Sequence, residues 1–219
     1  MTDTAGRLRA RACVAFVDLA GFTAMTQAHG DDYAADVHDA FVGALDAACA
    51  ATPSVRCVKH LGDGALLVSP SAAGMLAALR AGVEQQGDAE LCLRVRAGVH
   101  CGQVLQVRTA HGDDVLGHTV NIAARVCGLA APGELLLTAS VMAEAGTEGD
   151  GAVPLGARRL RHVPDPVDVW ALPLGTQDGL IDPVCHMTVG PGSLAVTAAG
   201  REWMFCSPGC RDAFLAAHG

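Results

Sequence analysis

Aromatic residues are scarce in this chain: one tyrosine, two tryptophans and five phenylalanines, 4% of 219 residues. Its core must therefore be packed with alanine, valine and leucine. Charged residues are also few, at 17% against 51% hydrophobic, which excludes an extended, self-repelling disordered chain. The balance is acidic, with a formal net charge of −8 and no basic stripe, so nucleic acid is not an expected partner. No window approaches the roughly 18 apolar residues needed to span a bilayer, so no membrane span is expected. Arg7, Arg9 and Arg11 are not followed by a signal-peptide cleavage pattern, and a cytoplasmic location is expected. Nine cysteines, by contrast, are many. In a reducing compartment they are expected as thiols or metal ligands. Cys13, Cys49, Cys57, Cys92, Cys101 and Cys127 are scattered through apolar segments and read as small core residues.

What is present is most informative at Val14-Ala15-Phe16-Val17-Asp18-Leu19-Ala20-Gly21-Phe22-Thr23. An apolar strand delivers Asp18 to its carboxyl end, and the Gly21 turn opens a helix. Ligand sites in α/β sheets gather at such strand ends. A second carboxylate, Asp63, lies between two glycines in Lys59-His60-Leu61-Gly62-Asp63-Gly64. Two glycines at a hairpin tip permit positive φ and close approach of a ligand. Asp18 and Asp63 together are suited to a divalent metal that prefers oxygen ligands.

The hydrophobic pattern predicts a loose tail over residues 1–9 and a first strand over 12–18. A helical stretch follows, with Tyr33, Val37, Phe41 and Leu45 recurring every four residues, broken near Gly30. A hairpin over 55–59 and 65–69 precedes a helix over 72–86. Strands are expected over 91–100 and 104–108, then a turn at His111-Gly112-Asp113-Asp114 and a helix from 117 to about 129. Further strands are expected over 135–137, 158–161 and 167–172, with a short helix near Val141. Residues 175–179 read as a linker within a Gly-containing stretch that starts at Pro173. Two β-α-β units with antiparallel pairing give an α+β, ferredoxin-like βαββαβ core.

Four segments in this order resemble the catalytic domain of the class III adenylate and guanylate cyclases over residues 10–174. They are Phe16 to Thr23, Lys59 to Gly64, Ala97-Gly98-Val99-His100-Cys101-Gly102, and Asp114-Val115-Leu116-Gly117-His118-Thr119-Val120-Asn121-Ile122-Ala123-Ala124-Arg125. The resemblance implies the same ferredoxin-like fold. It implies an adenylate cyclase that turns ATP into 3′,5′-cyclic AMP and pyrophosphate with two Mg2+ or Mn2+ ions, at sites shared between the chains of a homodimer. Asp18, Asp63 and the backbone carbonyl of Leu19 match the metal-binding positions. Lys59 and Asp114 match the pair that reads adenine: the amine donates to ring N1, and the carboxylate accepts from the exocyclic amino group. Asn121 matches the ribose-orienting asparagine, and Arg125 matches the arginine on the α-phosphate. Arg161 falls at a basic position that grips the terminal phosphates, with Arg158 and Arg159 as competitors. Gln103 departs from a basic phosphate contact found in some relatives. The rival reading is a weak or inactive cyclase-like domain that binds nucleotide within a metal-sensing or metal-handling protein.

The last forty residues differ in character. Cys185, Cys206 and Cys210 recur with twenty and then three residues between them, the close pair at an expected helix start. Thiolates are favoured there and bind soft or borderline metals. Residues 180–219 resemble the YHS-type, or TRASH-like, metal-binding module. The resemblance implies a thiophilic metal, Zn2+ or copper. His186 stands where that family usually has glycine, and is expected as an exposed neighbour rather than a fourth ligand. So small a unit has little core of its own, which makes a structural metal physically reasonable.

Overall fold

A computed structural model describes residues 8–87, 94–110, 112–175, 179–190, 192–198 and 200–218. Its central strand, β1 (Leu8–Leu19), alternates strictly. Cys13, Ala15, Val17 and Leu19 enter the main core on one face. Ala12, Val14 and Phe16 pack on the other. The same parity sends Asp18 to the second face. After β1 come α1 (Phe22–His29) and α2 (Asp31–Ala51), separated at Gly30 as expected. The hairpin β2 (Arg56–Leu61) and β3 (Gly64–Ser69) follows, then α3 (Ala72–Gly87) and β4 (Val95–Thr109). β1 lies between β3 and β4, antiparallel to both, and β2 flanks β3. That order, with helices crossing between β1 and β2 and between β3 and β4, is the expected ferredoxin-like βαββαβ arrangement. Val37, Phe41 and Leu45 of α2 meet Met75, Leu76 and Leu79 of α3 in the core over the first face.

β4 continues into β5 (Gly112–Leu116), α4 (His118–Cys127), β6 (Glu134–Thr138), α5 (Ala139–Met142), β7 (Val153–Arg158) and β8 (Val167–Pro173). β6 runs parallel to β4, and β8 and β7 extend the sheet beyond it. α4 covers the second face at very close range. A Cβ on Gly98 would lie 2.1 Å from the backbone nitrogen of Cys127. The chain ends with the hairpins β9 (Leu180–Ile181) with β10 (Thr188–Val189) and β11 (Leu194–Ala198) with β12 (Arg201–Phe205), then α6 (Pro208–His218). Cys185, Met187, Phe205, Cys210 and Phe214 of this segment join the same core as α1 and α2.

Several expectations need correction. Leu8 and Arg9, assigned to the tail, open β1 and pair with Gln106 and Leu105. The two strands expected over 91–100 and 104–108 are one uninterrupted β4, because β1 pairs with it from Val95 to Gln106, across the expected break. Residues 91–93, including Cys92, fall outside the described residues, as do 1–7, His111 and 176–178 of the linker. Gly112 to Asp114 belong to β5, paired with β4, rather than to a turn. The strand expected over 158–161 lies earlier, at Val153–Arg158, which leaves Arg161 in the following turn. Cys13 and Cys101 are buried as expected but are not free thiols: directly opposed in the β1–β4 register, they form a disulfide. Cys49, Cys57 and Cys127 are free.

Candidate active site

Asp18 ends β1 on the face covered by α4. Its β4 partner in register is Arg96, whose guanidinium grips one carboxylate oxygen through Nε, at 2.8 Å, and through a terminal nitrogen. The antiparallel register makes Arg96 the cation of the carboxylate cluster. The turn bearing Asp63 is tied to the same point, since Leu19 N–H donates to the Asp63 carbonyl at 3.1 Å. Gly64 allows the close approach: a Cβ there would lie 2.6 Å from the Val17 carbonyl oxygen and 3.3 Å from an Asp18 carboxylate oxygen. His38 of α2 steadies the turn from outside, with Nε2 3.1 Å from the Gly62 carbonyl oxygen. Burial, and then the neighbouring charge of Asp18, push the Asp63 carboxyl above its ordinary range. A cleft of about 220 Å³ opens here, lined by Phe16, Asp18, Leu61, Arg96, Ala124 and Cys127 among others. Burial pushes the Cys127 thiol up to about 12.

Two further groups stand apart from these carboxylates. Lys59 on β2 reaches Asp114 on β5, with Nζ 2.6 Å from the carboxylate. Val115 N–H donates to the other Asp114 oxygen at 2.8 Å. Burial opposes the Asp114 charge, but the Lys59 ammonium and this N–H outweigh it and hold the carboxyl below its usual range. Lys59 is the only lysine in the chain. Asn121 and Arg125 lie one turn apart on the outward side of α4, with Ile122, Ala123 and Val126 buried beneath them. Arg125 Nε donates to the backbone carbonyl of Arg161, which brings these two expected phosphate contacts together. The Arg161 side chain itself lies 3.0 Å from His162 Nε2. Among the described residues, no hydrogen bond or ion pair joins the Asp18 group, the Lys59–Asp114 pair and the Arg125 group within one chain.

The family model for the adenylate and guanylate cyclase catalytic domain matches residues 7–155. The chain belongs to that family. A pH-sensitive adenylate cyclase of Mycobacterium tuberculosis is 35% identical to it over 156 residues, covering 68% of this chain and 37% of that protein. The adenylyl cyclase CyaB from P. aeruginosa superimposes with a TM-score of 0.66 at 16% identity, over 78% of this chain and 98% of that one. The guanylate cyclase domain of RhGC from Catenaria anguillulae, solved with GTP, does so with a TM-score of 0.65 at 17% identity, over 75% and 97%. The fold is thus shared with cyclases named for either base. The chain spans about a third of the length of the curated relatives it matches. No helix among the described residues is long and apolar enough to cross a membrane.

Beyond this cyclase domain, the three expected cysteines converge. Cys185 Sγ lies 3.4 Å from Cys206 Sγ, which lies 3.7 Å from Cys210 Sγ. Asp182, fully buried, organises them: its carboxylate accepts N–H donors from Val184 at 2.8 Å, Cys185 at 3.3 Å and Cys206 at 2.8 Å. These donors outweigh the effect of burial and keep Asp182 below its ordinary range. His186 is not among the clustered ligand atoms; it is half-buried rather than exposed and takes a left-handed conformation with φ 62°. It rests on Gly21, where a Cβ would come within 2.5 Å of its own Cβ. The imidazole at the cluster is that of His29, which sequence reading did not single out.

Proposed function

We propose that the chain is an adenylate cyclase that converts ATP into 3′,5′-cyclic AMP and pyrophosphate at sites shared between two copies of itself. The observation that carries the choice of base is the Lys59–Asp114 pair. An ammonium that donates beside a carboxylate that accepts complements the ring nitrogen and amino group of adenine; guanine presents the opposite polarity. The reaction is an in-line attack of the ribose 3′ hydroxyl on the α-phosphate.

The donor set at the strand end fits divalent metal. Two carboxylates are drawn together, and burial, then the charge of Asp18, raises Asp63, which suits a site where a dication is to be shared. Asp18, Asp63 and the Leu19 carbonyl would hold Mg2+ or Mn2+, which supply Lewis acidity to the attacking hydroxyl and neutralise the leaving pyrophosphate. Asn121 orients the ribose, Arg125 places a cation where charge develops at the α-phosphate, and Arg161 holds the terminal phosphates. Within one chain Arg125 turns to Arg161 rather than to the carboxylates. A C2 pair in which each copy lends Arg125 to the other's Asp18 and Asp63 completes two equivalent sites.

We further propose that residues 180–219 form a YHS-type module that holds a thiophilic metal, zinc or copper, through Cys185, Cys206 and Cys210. The deciding experiment assays the purified chain with ATP and with GTP, under Mg2+ and under Mn2+. Cyclic AMP formation with ATP preferred is expected. No cyclic nucleotide from either substrate would overturn the catalytic reading, and a preference for GTP would overturn the base assignment.

A further inference from the structure

The thiol cluster is not closed by its own module. His29, in the last turn of α1, points Nε2 at it, 3.4 Å from Cys206 Sγ and 3.9 Å from Cys210 Sγ. The four ligand atoms of His29, Cys185, Cys206 and Cys210 all lie within 4.8 Å of one another. Zinc bonds of about 2.3 Å to sulfur and about 2.0–2.1 Å to nitrogen give tetrahedral edges of roughly 3.8 Å between sulfurs and 3.6 Å between sulfur and nitrogen. The Cys185–Cys206, Cys206–Cys210, Cys206–His29 and Cys210–His29 separations, 3.4, 3.7, 3.4 and 3.9 Å, scatter about those edges.

The surroundings suit a preorganised site. Buried Asp182 fixes the backbone of two ligands through its carboxylate, the kind of support that orients metal ligands. The His29 ring lies against Tyr33, with centroids 5.0 Å apart, and the Tyr33 hydroxyl sits 3.6 Å from the sulfur of Met187. The cysteine module and the start of the cyclase domain are thus packed together around the four ligands.

We infer that His29 is the fourth ligand of a Cys3His site for a tetrahedral divalent cation, Zn2+ first, and that this site latches α1 of the cyclase domain to the C-terminal module. The inference rests on the cysteine cluster being a metal site and adds the ligand that crosses from one domain to the other. On binding, the three thiols give up their protons to solvent and the imidazole coordinates through neutral Nε2. The latch has a direct route to the catalytic loop. α1 starts at Phe22, just past Asp18 and Gly21, and His186 next to ligand Cys185 rests on Gly21. Metal holds both ends of this contact in one arrangement.

The test loads the full chain with Zn2+ and, separately, with Co2+, and compares wild type with His29→Ala, His29→Cys and Cys206→Ser. Wild type should bind one Zn2+ per chain, and its Co2+ form should show the intense visible bands of a tetrahedral thiolate-rich site. His29→Ala should weaken Zn2+ binding at least tenfold and alter the Co2+ spectrum. His29→Cys should recover tight binding, with the spectrum of a four-sulfur site, which guards against simple misfolding. Zn2+ should also slow backbone hydrogen exchange over residues 21–29 in wild type and not in His29→Ala. If Cys206→Ser loses Zn2+ while His29→Ala keeps wild-type affinity and spectrum, the cysteine site stands and the His29 latch is overturned. If reduced wild type binds neither ion, the cysteine site and the latch fall together.

Discussion

At Asp63, burial and the charge of Asp18 both oppose ionisation. Its carboxyl therefore titrates above the ordinary value of 3.8 in the folded chain, and the native state binds more protons than the unfolded state in that window. Metal-free stability should fall as pH rises through the window, and remain lower above it. Asp63→Asn removes the group, so this part of the pH dependence should vanish and the variant should melt higher than wild type at neutral pH without divalent ions. Melting curves across pH in a chelator check this. Catalysis should move the other way, with Asp18→Ala or Asp63→Ala lowering turnover at least ~100-fold while the fold persists. Near-normal cyclic AMP production under Mg2+ or Mn2+ would remove these residues from the site. Lys59→Glu combined with Asp114→Cys inverts the polarity facing the base, so the ratio of ATP to GTP turnover should drop sharply. The residues that sequence motifs could reveal were those near punctuating glycines. Arg96 was hidden because its role comes from the register opposite Asp18. His29 was hidden because 177 positions separate it from Cys206, and no local pattern marks such a distant pairing.

Among the elements, α1, α2, β2, β3, α3 and α4 were readable because apolar spacing and glycine or proline boundaries agreed. The errors fell where pairing, not composition, decides the outcome. β4 runs through Gly102 unbroken because β1 pairs with it on both sides of that glycine, and Gln103 lies inside a strand rather than in a connection. β7 ends before Arg161, so that residue presents its backbone carbonyl to Arg125 from a turn. α4 lies close against β4 at Gly98, where a methyl group would meet backbone atoms of Cys127 that cannot move aside as a flexible side chain would. Gly98→Ala should cost ~1–3 kcal/mol of stability. Because α4 carries Asn121 and Arg125, activity should fall further than the loss of folded protein explains. Denaturant midpoints measured beside specific activity separate the two effects.

Among the described residues of the molecule, no hydrogen bond or ion pair joins the proposed metal-binding carboxylates to Arg125, which bonds the Arg161 carbonyl, and pairing of two copies is testable by mixing. Asp63→Ala and Arg125→Ala should each be inactive alone. Their mixture should regain activity, because one of the two sites in a heterodimer inherits neither defect. Heterodimers that form without activity would mean that the site is built within one chain. The cysteine module extends this logic: Cys206→Ser with Cys210→Ser should lose bound metal and change specific cyclase activity severalfold, whereas metal loss without any change would make the module an appendage. Charge is distributed unevenly in kind as well as in place. Fourteen of the fifteen cationic side chains are arginines, and the remaining one is Lys59, with about two-fifths of its side chain exposed. Apart from the α-amino group, an acylating reagent therefore meets a single amine on this protein, at the proposed adenine-reading position. Amine chemistry becomes a one-point titrant of nucleotide occupancy, and labelling or surface attachment through lysine would silence the molecule it was meant to report on.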